Sequence, residues 1–227
     1  MLVKVGTSGY NYFWNEGKPN PFQWYLSKGF NTVEINATFY SFPSNSWIRS
    51  WEKAPEDFEF SVKVHRSITH YSRLKGKALH LWERFSSLFK SIKVSFWLFQ
   101  LPPSFSYKNF ENLKNFVYNL EDKEKMVFEF REEEWWKHIR EVKKLGVIFC
   151  SVDSPDLPRD IISCNGTIYL RLHGRTSWYS HIYTDVELKE LVKRIKDLKP
   201  KKVYIYLNNN HGMLPNALNL IQLFNSY

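Results

Sequence analysis

The hydrophobic pattern switches between two periods along the whole chain. Short β-branched and aromatic runs read as strands: LVKVGTS, TVEINAT, EFSVKVH, SFWLFQLP, MVFEFR, VIFCSVD, TIYLRLH and KKVYIYLN. Between them lie helical patterns: PFQWYLSKG, SNSWIRSWEKA, GKALHLWERFSSLFKSI, YKNFENLKNFVYNL, EEEWWKHIREVKKLG, DVELKELVKRIKDL and LPNALNLIQLFNSY. In the third of these, Leu79, Trp82, Phe85, Leu88 and Phe89 recur at three- and four-residue steps. Gly29 and Gly146 follow helical patterns where a C′ glycine belongs. The stretch after SVDSP holds a helical turn at most, so the sixth βα unit is expected to be trimmed or irregular.

Strands separated by helices pair in parallel through right-handed crossovers. Eight such repeats predict an α/β protein of the (β/α)8 TIM-barrel type rather than an open doubly wound sheet. No linker, low-complexity segment or charge block interrupts the 227 residues, which predicts one domain over residues 1–227. That length suits one barrel of about 250 residues. GTSGY is a weak match to a dinucleotide-binding turn, so no nucleotide cofactor is expected.

The strand-like runs break the apolar rule at their C-terminal ends. Glu34 and Asn36 are two apart on one strand and share a face. The same holds for Lys63 with His65, Glu129 with Arg131, and Arg171 with His173. Gln100, Asp153 and Asn208 stand at the corresponding ends of other strands. A buried face tolerates such groups only when they pair with one another or meet a ligand. In a barrel, sites gather at this end. The set suits a polar or anionic small molecule, with aromatic walls from Tyr10, Tyr40, Trp135 and Trp178.

Within that set, His65 and His173 are candidate general bases, because an imidazole titrates near neutral pH. Glu129 with Arg131 reads either as working chemistry or as a neutralising ion pair. Lys63, inside FSVKV, is either a desolvated amine or a counter-ion for Glu34 or Glu129. Glu129, Asp153 and His173 form a mixed set that suits a divalent metal, although no HExxH-type signature is present. Pro102 and Pro103 read as a rigid turn shaping the rim, and Asn208–Asn210 as amides and turn residues together.

Composition narrows the classes. Hydrophobic residues make up 43% and aromatic residues 18%, which excludes a disordered chain. No apolar stretch approaches the roughly 20 residues of a membrane span, and MLVKVGTSGY is already strand-like, so a soluble cytoplasmic protein is expected. Two cysteines, Cys150 and Cys164, make no disulfide framework or zinc spacing. The net charge of +9 fits a lysine-rich solvated surface or a polyanion partner. Arg66, Arg73 and Arg175, at strand C-terminal loops, favour nucleic acid; Lys143 and Lys193, on helices, do not. Exposed aromatic residues would support a dimer, but outer barrel packing accounts for them equally, and the oligomeric state stays open.

The stretches VGTSGYNYFW, FNTVEINATFYSFP, FEFSVKVHRSITH, LFQLPPSF, VFEFREEEWW, YLRLHGR with Trp178–Tyr179, and VYIYLNNN together resemble the YecE-like family, also called domain of unknown function 72. The resemblance spans nearly the whole chain in order. It implies a TIM-type barrel and no established activity. By match to its motifs it implies a pocket of Glu34, Lys63, His65, Gln100, Glu129, Arg131, Asp153, Arg171, His173 and Asn208. Three functions are then expected in order: an enzyme on a small polar or anionic metabolite, such as a sugar or sugar phosphate; a nucleic-acid binding or processing protein; and a non-catalytic ligand-binding or scaffold barrel.

Overall fold

The structure, a computed structural model, describes residues 1–226; Tyr227, the last position of the final helical pattern, lies outside the described residues. The strands are β1 (Leu2–Thr7), β2 (Thr32–Ile35), β3 (Glu59–Lys63), β4 (Val94–Gln100), β5 (Met126–Glu129), β6 (Ile148–Phe149), β7 (Ser151–Asp153), β8 (Ser163–Cys164), β9 (Thr167–Leu172) and β10 (Lys202–Leu207). The helices are α1 (Pro21–Ser27), α2 (Asn45–Trp51), α3 (Ala78–Ser86), α4 (Phe110–Tyr118), α5 (Ile139–Lys144), α6 (Asp185–Asp197) and α7 (Met213–Asn225). Every predicted run contains a strand and every helical pattern a helix.

Local chemistry explains the ends. Pro21 opens α1, where its missing N–H costs nothing. Ser44 caps α2 by accepting from the Trp47 N–H, and Thr184 with Glu187 forms a reciprocal capping box on α6. Gly29 and Gly146 both take φ +83°, the left-handed conformation expected just past a helix. Along α6, Leu188, Leu191, Val192 and Ile195 make the buried stripe.

The ladders form two five-stranded sheets, ordered β1-β10-β9-β7 with β8 on β9, and β2-β3-β4-β5-β6. Among the described residues they do not close into one ring. The registered βα-crossover pairs are parallel, as predicted. VIFCSVD is not one strand but two: β6 pairs with β5, β7 pairs with β9, and the break falls at Cys150. Among the described residues no helix lies between β7 and β9. The connection carries β8 instead, which pairs antiparallel with β9. Residues 165 and 166 make its tight turn, with Asn165 at φ +51° and Gly166 at φ +82°.

The chain divides into two compact units, Met1–Glu34 with Cys150–Tyr227, and Ile35–Phe149. The first has an aliphatic core that includes Val5, Val33, Ile168, Leu170, Leu188, Ile195, Val203 and Ile205. The second packs on rings. Phe99 stacks on Phe128 at 4.8 Å, Trp82 meets Trp97 edge-on at 5.0 Å, and Phe130 stacks on Trp135 at 4.0 Å. No described helix is long and apolar enough to cross a membrane.

Candidate functional site

In the first unit, backbone pairing continues past the strand ends and sets their last side chains abreast. His173 N donates to the Asp153 carbonyl, Asn208 N to Leu172, and Ser8 N to Leu207, while Ser8 bridges Glu34. The Glu34 carboxylate, fully buried, sits at the middle. It accepts from Ser8 Oγ at 2.7 Å and from the Tyr169 hydroxyl at 2.7 Å. Arg171, also fully buried, grips it through Nε at 3.0 Å and Nη2 at 2.7 Å. This is the forked geometry that a guanidinium makes with a carboxylate. The remaining Arg171 nitrogen, Nη1, lies 3.3 Å from His173 Nε2, and His173 Nδ1 faces the Asn208 amide at 3.2 Å. A guanidinium only donates, so the contact at Nε2 requires the imidazole lone pair there.

Asp153, 2% exposed, is held by Arg175 Nε at 3.1 Å and by the Tyr183 hydroxyl at 3.1 Å. Burial, with Asp153 beside it, pushes the Tyr183 phenol far up. The loop between them folds back over His173. Gly174 takes φ +117°, and a Cβ there would lie 2.6 Å from both the His181 Cβ and the Ser177 carbonyl oxygen. Tyr179, at φ +66°, donates its N–H to the His173 carbonyl at 2.7 Å. The Trp178 and Tyr179 rings lie 5.2 and 5.3 Å from the imidazole, and Trp178 Nε1 donates to Asp156 at 2.6 Å. Tyr10 packs against Phe22 at 5.1 Å and is half-buried.

The second unit arranges its polar strand ends differently. The Lys63 ammonium, half-buried, stands 4.2 Å over the Phe39 ring. His65 is held at both nitrogens. Nδ1 accepts from the Ser67 N–H at 3.1 Å, which leaves Nε2–H to donate to the Tyr40 carbonyl at 3.3 Å. Burial lowers its pKa, and Arg66 lowers it further. Residues Ser67–Tyr71 then form a single π-helical turn, closed by Ser72 N on the Ser67 carbonyl at 2.9 Å. Such turns are frequent at functional sites.

His70 rides on that turn. Its Nδ1 meets Thr69 Oγ1 at 2.9 Å and its ring stands edge-on to Phe39 at 4.9 Å. Burial pushes its pKa down to about 4, reinforced by the charges of Lys63, Arg131 and Arg66. Arg66 lies 5.6 Å from the Tyr40 ring and 5.7 Å from the Tyr71 ring. Those rings are 62% and 70% exposed. Glu129 is fully buried and bonded to Arg131 Nε, and Gln100 Nε2 donates to the Leu101 carbonyl at 2.9 Å. Asn36 precedes the short 3-10 turn Ala37–Phe39.

The predicted residues therefore fall into two sets, each described within its own unit. Glu34, Asp153, Arg171, His173 and Asn208 come together with Ser8 and Tyr169 in the first. Lys63, His65, Glu129, Arg131, Gln100, Asn36 and Tyr40 belong to the second. Trp135 is not a pocket wall: it is fully buried, stacked on Phe130 and donating to the Phe105 carbonyl at 2.8 Å. Among the described residues no three His, Cys, Asp or Glu side chains gather as a metal-holding group. Sequence reasoning missed His70 and Tyr71, whose only signal was their place in the segment after β3. A cavity of about 580 Å3 in the first unit lies away from all these side chains, lined by Val3, Lys196, Lys199, Pro200 and Phe224 among others. It opens at the start of β1, opposite the strand C-terminal ends.

A family model described as "Protein of unknown function DUF72" matches residues 4–226. A search of curated proteins gives no match. Among solved structures, a DUF72 family protein from Thermotoga maritima is similar at 28% identity and a TM-score of 0.80, over 99% of this chain and 100% of that one. A DUF72 family protein from Enterococcus faecalis is similar at 19% identity and a TM-score of 0.78, over 99% and 96%. A xylose isomerase domain containing protein from Salmonella typhimurium shares the fold alone, at 12% identity and a TM-score of 0.52, over 88% and 87%.

Proposed function

This chain belongs to the DUF72 family, and we propose that it acts on a small anionic metabolite, of sugar or sugar-phosphate type, by acid–base chemistry at the strand ends of its second unit. The framework of this reading is a (β/α)8-type succession of units, supported by the strand–helix alternation, which is interrupted only from β6 to β9 among the described residues, and by the fold of the xylose isomerase domain containing protein. Fold likeness carries no activity, so the weight rests on the site.

The observation that carries it is the cationic surround of His70. Burial first, and then the charges of Lys63, Arg131 and Arg66, hold this imidazole uncharged far below its usual range. Cations gathered at one strand end attract an anion. Among the described residues His70 Nε2 makes no protein hydrogen bond, so it is the nitrogen a ligand can meet. An anion settling among the cations offsets their charge, raises the basicity of His70, and so prepares it to accept a proton from the ligand it has just met. Lys63 and Arg66 hold the anion in this scheme, and Glu129 orients Arg131. His65, with both nitrogens engaged, braces the loop rather than transferring protons.

Incubating the full chain with a panel of sugar phosphates in D2O tests this. Solvent deuterium should enter a carbon-bound position of one sugar phosphate, and His70→Asn should stop that while leaving binding in place. Binding without exchange across the panel would reduce the reading to ligand binding. Exchange that survives His70→Asn would remove His70 from the chemistry.

A further inference from the structure

The anion site of the second unit has a feature that a sugar phosphate does not use. Beside Arg66 stand two tyrosine rings, Tyr40 and Tyr71, each within 6 Å of the guanidinium and each mostly exposed. Single exposed aromatic residues are ordinary on a protein surface. Two that flank the same arginine, next to Lys63 and His70 around Phe39, make a different surface. It offers fixed positive charge at its centre and flat π-faces at its rim.

The rings are placed by structure. Tyr40 follows the short 3-10 turn Ala37–Phe39, and its carbonyl is tied to the His65 imidazole at 3.3 Å. Tyr71 is the last residue of the π-helical turn that also carries His70. The backbone on both sides of Arg66 is thus held, while the rings stay open to solvent. An aliphatic anion touches only the charges. An anion joined to a flat unsaturated ring system also covers a tyrosine face.

Resting on the anion-site reading above, we propose that the ligand is a nucleotide unit, its phosphate held by Lys63 and Arg66 and its base stacked on Tyr40 or Tyr71. Stacking of a base on an aromatic side chain is sequence-tolerant, because every base has a π-face. Arg66 contributes to both parts, as a cation for the phosphate and as a planar group beside the rings. The same chemistry is offered by a free mononucleotide and by an unpaired strand, and the test separates them.

The experiment is calorimetric titration of the full chain, at low salt, with inorganic phosphate, ribose 5-phosphate, AMP, adenosine and short single-stranded oligoadenylates. AMP should bind about tenfold or more tighter than ribose 5-phosphate, the scale of one stacked base. Tyr71→Ala and Tyr40→Ala, made separately and together, should erase that ratio while ribose 5-phosphate affinity stays put. Both side chains are exposed, so the variants keep the fold, and an unchanged melting temperature confirms it. AMP and ribose 5-phosphate binding equally would overturn this proposal and leave the anion reading standing. No binding by any phosphate overturns both. Adenosine binding as tightly as AMP overturns the anion reading and with it the combined site. Where the AMP preference holds, affinity rising with oligoadenylate length identifies a strand as the source of the nucleotide, and flat affinity identifies the free nucleotide.

Discussion

The two units respond differently to the same problem of placing charge at a strand end. In the first, Glu34 and Arg171 are both fully buried, and Ser8 and Tyr169 fill the carboxylate's remaining hydrogen-bonding positions. In the second, Glu129 is also buried and bonded to Arg131, but Lys63 and Arg66 are half-buried beside two exposed tyrosine rings, and the neighbouring His70 is kept neutral, first by burial. A saturated cluster organises the chain around it. The half-buried cations beside a neutral imidazole are, in the function proposed above, the place where an anion binds. A polar strand end therefore marks a place where charge must be satisfied. Depth of burial separates the two units: Arg171 is fully enclosed, whereas Arg66 is half-buried between two exposed rings.

Removing one partner from the saturated cluster should have the largest effect. Arg171→Met leaves the Glu34 carboxylate buried beside neutral groups, and breaking a buried pair this way costs about 3–5 kcal/mol. Urea unfolding should register that loss, whereas Arg66→Gln should change stability by about 0.5 kcal/mol or less. Comparable losses in both variants would erase the distinction between the units. The loop over His173 comes next. Gly174→Ala meets both a left-handed φ and a crowded Cβ position, and should cost about 1–3 kcal/mol. If the loop is held as described, tryptophan fluorescence from Trp178 should change with it. A variant as stable as the parent would show that the loop is not fixed by Gly174.

The acid limb of stability sharpens the comparison from the other side. His70 titrates at about 4 in the folded chain against an ordinary value of 6.5. As pH falls below about 6.5 the unfolded chain takes up a proton that the folded chain refuses, so stability drops. The drop levels off below about 4, where both forms are protonated. His70→Gln should flatten this part of the pH–stability curve modestly, since the ring is half exposed. A curve unchanged between those limits would mean that folding does not depress His70.

Much of the framework was legible in the chain. Strand-like runs marked every strand except β8, and TVEIN, YLRLHG and YIYLNNN announced the polar ends at Glu34, Arg171, His173 and Asn208. Their mutual bonding was not legible, because Glu34 and Arg171 are 137 residues apart and only the fold brings them together. VIFCSVD looked like one strand because periodicity carries no information about which neighbour a strand pairs with. His70 was invisible for a different reason: five residues of π-helix leave no hydrophobic period, and its low basicity comes first from burial in the fold and then from the nearby charges of Lys63, Arg131 and Arg66. Trp135 misled in the opposite direction, since a tryptophan beside a polar strand end serves a core as readily as a pocket.

The central claim is that the second unit holds an anion-ready cluster around a neutral imidazole, and the titration of His70 tests it most directly. His70 can be followed by NMR in the full chain, with and without saturating inorganic phosphate. The account predicts a midpoint near 4 without phosphate and a clear upward shift when phosphate occupies the cations, a shift that Arg66→Gln reduces. A midpoint near 6.5 from the start, or one that phosphate leaves where it was, would contradict it.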